Sequence, residues 1–153
     1  MRGAILGECA YMDEVFLAFN NMQLNYNWLI TDYECNDYPD EMIPYNKEYV
    51  WISGRDLWRI VCENEIQFIW GVFSAFSKDI TLNDVLKYSL PYADGNPNFW
   101  VKNINMQHPL AEIEIVPWDS SLVLLISKHD EIVESFLNYF PYTEDLVTHN
   151  SRE

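Results

Sequence analysis

Hydrophobic positions in this chain change their spacing from two to three or four and back, and those changes mark out the elements. Gly3 to Glu8 reads as a short first strand. Val15, Phe16, Phe19 and Met22 then recur at helical spacing over Met12 to Met22. Asp13 and Glu14 stand in the first turn, where the helix dipole favours carboxylates, and Asn20-Asn21 marks a fraying end. Tyr26, Trp28 and Ile30 alternate within Asn25 to Tyr33, as a strand requires. Asp32 to Pro44 is rich in carboxylates, Asn and Pro and reads as a loop. Glu48 to Ile52 is a strand, and Ser53-Gly54-Arg55-Asp56 opens a helix in which Ser53 and Asp56 can cap one another. Leu57, Ile60 and Val61 give that helix its apolar face, and it should end near Asn64.

Ile66 to Phe76 is apolar on both faces, which places it inside a sheet and Trp70 in the core. Thr81 to Asp84 repeats the cap signature before a short helix carrying Val85, Leu86 and Tyr88. Pro91 to Asn98 is a loop. Phe99 to Asn105, Ala111 to Val116 and Ser121 to Ser127 read as three further strands, the last two joined by a turn at Trp118-Asp119-Ser120. A final helix starts at His129 or Asp130, carries Ile132, Val133, Phe136, Leu137 and Phe140 on one face, and stops at Pro141. The expected class is α+β, a mostly antiparallel sheet of about six to seven strands with three to four helices packed on it. Residues 1–148 read as one domain and 149–153 as a flexible tail.

Charge narrows the function more than composition does. Nine Lys and Arg against 24 Asp and Glu give a formal net charge of −15. Nucleic acids and anionic membranes are bound through basic side chains, so both are disfavoured as partners. A basic protein is the partner this surface would attract. The longest apolar stretch, Ile66 to Phe76, is too short to span a bilayer. Cys9, Cys35 and Cys62 are odd in number and form no CxxC pair, which suits a reducing cytoplasm.

Candidate chemistry is sparse. No spacing pairs the three thiols with His108, His129 or His149 as a nucleophile and its base. No zinc-ligand spacing occurs, and the acidic loop fails as a calcium loop, with Asp37 where a Gly is required and Ile43 where a bidentate Glu is required. Neither a metal nor any other cofactor is expected. Glu112 and Glu114 share a strand face at period two and read as charge on a solvent face. The remaining pattern is the loop itself. Asp32, Glu34, Asp37, Asp40 and Glu41 are interleaved with Tyr33, Tyr38 and Tyr45, carboxylates that pair Arg or Lys beside rings that bury against a partner.

The segment from Trp51-Ile-Ser-Gly-Arg-Asp-Leu-Trp-Arg-Ile-Val through Phe68-Ile-Trp-Gly-Val-Phe-Ser-Ala-Phe resembles small acidic bacterial proteins of unassigned function, some of which are immunity proteins encoded beside toxins. The resemblance spans the middle third of the chain and lies in core-type residues. It implies an α+β cytoplasmic protein that blocks a basic toxin by binding it, and it brings no catalytic residue. Two other readings compete: a small-ligand or accessory domain with Trp51, Trp58, Trp70, Trp100 and Trp118 around a pocket, and a hydrolase using Cys35 or a carboxylate.

Overall fold

A computed structural model of the chain describes residues 1–152. Its strands are β1 (Arg2–Leu6), β2 (Tyr26–Cys35), β3 (Tyr49–Ser53), β4 (Phe68–Ser77), β5 (Ile113–Trp118), β6 (Leu122–Ser127) and β7 (Thr143–Asp145). They form one seven-stranded sheet in the order β3-β2-β4-β5-β6-β1-β7, with every neighbouring pair antiparallel. The helices are α1 (Met12–Ala18), α2 (Gly54–Glu63), α3 (Leu82–Val85), α4 (Asp130–Tyr139) and α5 (Leu146–Asn150).

The two faces of the sheet are covered differently. α1, α2 and α4 lie on one, where Phe16, Leu57, Ile60, Val133 and Phe136 bury against Trp28, Ile30, Phe73, Ile113 and Leu125. Each fully buried side chain of this size contributes roughly 1.5–3 kcal/mol of transfer free energy. The other face is covered mainly by the irregular chain between β4 and β5, together with α5. There Val85, Ala93, Phe99, Ile104 and Leu146 bury against Leu29, Val72, Phe76, Val116, Leu124 and Ile126. The central strands β4, β5 and β6 therefore carry no exposed residue, which is why β6 reads Leu-Val-Leu-Leu-Ile without alternation.

Local chemistry accounts for most boundaries. Ser53 Oγ accepts from Asp56 N at 3.1 Å and starts α2. The reciprocal bond forms only at α3, where the Thr81 and Asp84 side chains each accept from the other's backbone N–H, at 3.2 Å both ways. α1 ends at Ala18 rather than Met22, because Asn20 and Asn21 both turn into the left-handed region (φ 58° and 59°). Asp119 and Ser120 do the same at the β5–β6 hairpin.

Two expectations need correction. Phe99 to Asn105 forms no strand: Pro97–Trp100 is a 3-10 turn with Asn96 Oδ1 accepting from Asn98 N at 2.9 Å, and the chain beyond it is irregular. β5 is already flanked by β4 and β6, so this segment has no place beside the strand it precedes and lies across the sheet instead. The expected tail is also built in from its start. After Pro141 the chain adds β7 beside β1, and Asp145 Oδ2 accepts from Thr148 N at 2.9 Å to begin α5. His149 and Asn150 belong to that helix, and Asn150 Nδ2 donates to the carbonyls of Phe99 and Val101 at 2.9 Å each. Glu153, the last residue of the expected tail, lies outside the described residues.

Candidate functional site

The acidic stretch is part strand and part loop. β2 continues through Asp32, Tyr33, Glu34 and Cys35, with Glu34 opposite Trp70 and Cys35 opposite Phe68. A bulge at Asp32 (φ 48°) makes this possible. It turns the Asp32 carboxylate to the face away from the long helices, where Oδ2 accepts from Ala93 N at 2.8 Å and Asp94 N at 3.1 Å. Glu34 shares that face through its pairing with Trp70. Asp32 and Glu34 are therefore separated from the rest of the expected site.

The other members are brought together. Ile43 is buried among the helix-side core residues and anchors the loop. Tyr33, Tyr38 and Tyr45 stack in series with ring centroids 6.3 and 5.3 Å apart. The Tyr33 hydroxyl donates to the Pro44 carbonyl, and the Tyr38 hydroxyl accepts from Cys35 N at 2.9 Å. Burial pushes the Tyr33 phenol up to about 12, so it stays a donor. Tyr45, at the outer end of the series, is 72% exposed.

Asp37 and Asp40 shape the loop by accepting from Tyr38 N (2.8 Å) and Met42 N (2.9 Å). The second oxygen of Asp40 lies 3.5 Å from Arg59, which also reaches Glu63 at 3.4 Å. Among the described residues Glu34, Asp37 and Glu41 form no ion pair.

A neighbouring feature was not legible in the sequence. An open cleft of about 340 Å³ lies between the start of α1 and the end of α2, lined by Tyr11, Asp13, Cys62, Glu63 and Glu65 among others. No basic residue stands in the last turn of α2. Gln67 and Asn36 exchange hydrogen bonds of 2.9 and 3.0 Å, which tie the chain leaving this cleft to the base of the acidic loop. The cleft carboxylates come from positions about fifty residues apart, so only the packing of α1 on α2 brings them together.

The catalytic candidates are dispersed. Cys35 is buried and its thiol is pushed up to about 12, mainly by desolvation, the reverse of nucleophile activation. His108 is fully buried with its ring between Phe76 and Tyr88, at centroid distances of 4.8 and 4.9 Å. Its Nδ1 accepts from Leu110 N (3.2 Å), so Nε2 carries the proton and donates to Val85 O (2.8 Å). His129 lies 2.6 Å from Glu112 and His149 2.7 Å from Glu144. No cysteine hydrogen-bonds a histidine ring among the described residues, and no group of three His, Cys, Asp or Glu could hold a metal there.

Glu112 and Glu114 are not a solvent-facing pair. Glu112 is engaged by His129, whereas Glu114 is fully buried and accepts from Gln107 N and His108 N. The expected solvent face is covered by the chain between β4 and β5.

The tryptophans do not line one pocket either. Trp70, Trp100 and Trp118 cluster, with Trp118 centroids 4.9 Å from Trp70 and 5.1 Å from Trp100, while Trp51 packs on Phe76 and Trp58 on Phe16 across the sheet. Trp70 is half-buried instead of fully in the core, a place taken by Trp28.

The chain matches no protein-family model, no curated protein and no solved structure.

Proposed function

We propose that this protein is a binding module whose loop 36–48, with the adjoining α1–α2 cleft, captures a basic protein. The observation that carries the reading is the placement of Asp37 and Glu41, without a cation of their own, on the same loop as the exposed Tyr45 ring. Unpaired carboxylates raise the rate of encounter with Lys and Arg, and a ring held by its neighbours offers contact area at low entropic cost. Asp40 contributes less because Arg59 already partly neutralises it, and Asp32 and Glu34, though exposed, lie on the other sheet face and take no part in it. The partner class follows the resemblance noted above, a toxin domain held inactive in a reducing cytoplasm. The burial of Cys35 counts against it as the nucleophile of the hydrolase reading and leaves that reading its carboxylate candidate.

The test is charge reversal of Asp37 and Glu41 to Lys, followed by stopped-flow association with the partner recovered on the wild-type protein. Association should slow roughly tenfold at low ionic strength and much less at high salt, with the fold unchanged by circular dichroism. Association rates equal to wild type at both ionic strengths would remove the loop from the interface.

A further inference from the structure

Residues 91–110 cross the sheet face opposite the long helices with little regular structure, and polar contacts hold much of their length. Asp32 Oδ2 takes the amides of Ala93 and Asp94. The Gln107 side chain bonds Tyr92 through N (3.1 Å) and O (2.8 Å), and Asn96 Nδ2 donates to the Tyr92 carbonyl at 2.8 Å. Lys128 Nζ donates to Pro109 O at 2.9 Å. The contact nearest the middle of the sheet is Glu114, whose two oxygens accept from Gln107 N (3.0 and 2.9 Å) and whose Oε2 also accepts from His108 N (3.1 Å).

Glu114 stands on β5 in surroundings that favour an uncharged acid. Its cross-strand neighbours are Ser74 and Ile126, and Val116 follows it on the same face. The titratable and charged groups around it are few. His108 is held neutral on the segment itself with Tyr88 stacked against it, and Lys128 gives its ammonium to a carbonyl. Glu112 is engaged by His129, and Asp32 is spent on the two amides. No cation pairs with Glu114 among the described residues. An uncharged acid also needs an acceptor for its proton, and the register places Ser74 directly opposite, its fully buried hydroxyl without a partner.

We propose that residues 91–110 form a strap whose grip on the sheet depends on Glu114 keeping its proton, so that the strap loosens as the solution is brought from acid to neutral pH. Desolvation raises the Glu114 carboxyl to about 7 even though the Gln107 and His108 amides pull it down. Such a group favours the closed state fully below the ordinary glutamate range, and that contribution drains away as pH rises toward neutrality. His108 acts in the opposite sense, because burial lowers its pKa and protonation would remove the acceptor for Leu110 N. Measurements above about pH 6.5, the usual histidine value, therefore isolate Glu114.

The experiment is amide hydrogen exchange by NMR on the wild-type protein and Glu114→Gln between pH 6.5 and 9, read as protection factors. In the wild type the Gln107 and His108 amides should lose roughly three- to fourfold in protection between pH 6.5 and 8 and then level off, while the sheet amide of Ile115 holds. Glu114→Gln should show no such loss. Flat wild-type protection, or the same loss in the variant, would overturn the proposal. Should the variant fail to fold, the Glu114 carboxyl carbon is titrated in the wild type: a midpoint near neutrality supports the strap, and one in the ordinary range near 4.3 refutes it.

Discussion

Residue chemistry in this molecule is decided by what covers each group more than by its neighbours in sequence. Cys35 is the clearest case. Its burial should leave it unmodified when the native protein meets iodoacetamide at pH 8, while the exposed Cys9 and Cys62 react. Peptide mass spectrometry reads this directly, and labelling of Cys35 at a rate like that of Cys62 would contradict the burial. Asp32 and Glu114 show where single residues mislead. Asp32 reads as a loop carboxylate because acidic residues are depleted in strands, yet the bulge spends it on two distant amides. Glu114 reads as solvent-facing because it alternates with Ile113 and Ile115. The available clue was one element away: Ile66 to Phe76 and Leu122 to Ser127 are apolar on both faces, so a strand between them has no wet side.

The elements themselves were legible where a cap or a turn punctuates a periodic run. Ser53 with Asp56, Thr81 with Asp84, and the Trp118 to Ser121 turn each specify a boundary through a named hydrogen bond. The short pieces were not legible. β7 has three residues and α5 five, too few for any period to show, and Phe99 to Asn105 mimics a strand although its apolar residues serve to cover the sheet. At α2, sequence showed the cap but not the crowding behind it. A Cβ on Gly54 would lie 2.0 Å from the Gln23 carbonyl oxygen, on the same backbone that Trp28 Nε1 contacts at 3.1 Å. Backbone cannot yield as a side-chain tip can, so Gly54→Ala should destabilise the protein by about 2 kcal/mol or more despite the better helix propensity of Ala. A urea melt showing a neutral or stabilising effect would mean that α2 does not approach that turn so closely.

On the scale of the whole molecule the excess charge works against the fold that carries it. Ion pairs engage only part of the 24 acidic residues, and the remainder repel one another across a compact body. Raising sodium chloride from 10 to 200 mM shortens the Debye length from about 30 Å to below 10 Å, so the thermal midpoint should climb. A midpoint that falls over this range would show that internal ion pairs outweigh the repulsion. Uncompensated charge of one sign is also what gives the proposed capture of a basic partner its thermodynamic sense, because docking relieves that repulsion.

The strand order carries a consequence for how the protein is made. β1, from residues 2–6, lies between β6 and β7, which are encoded more than a hundred positions later. During synthesis it must wait, unpaired, until more than a hundred further residues have emerged, and closing so large a loop is slow compared with forming a hairpin. A ribosome-bound chain stalled before Leu122 would hold an apolar ribbon with nowhere to go, making the nascent protein a natural client for chaperones.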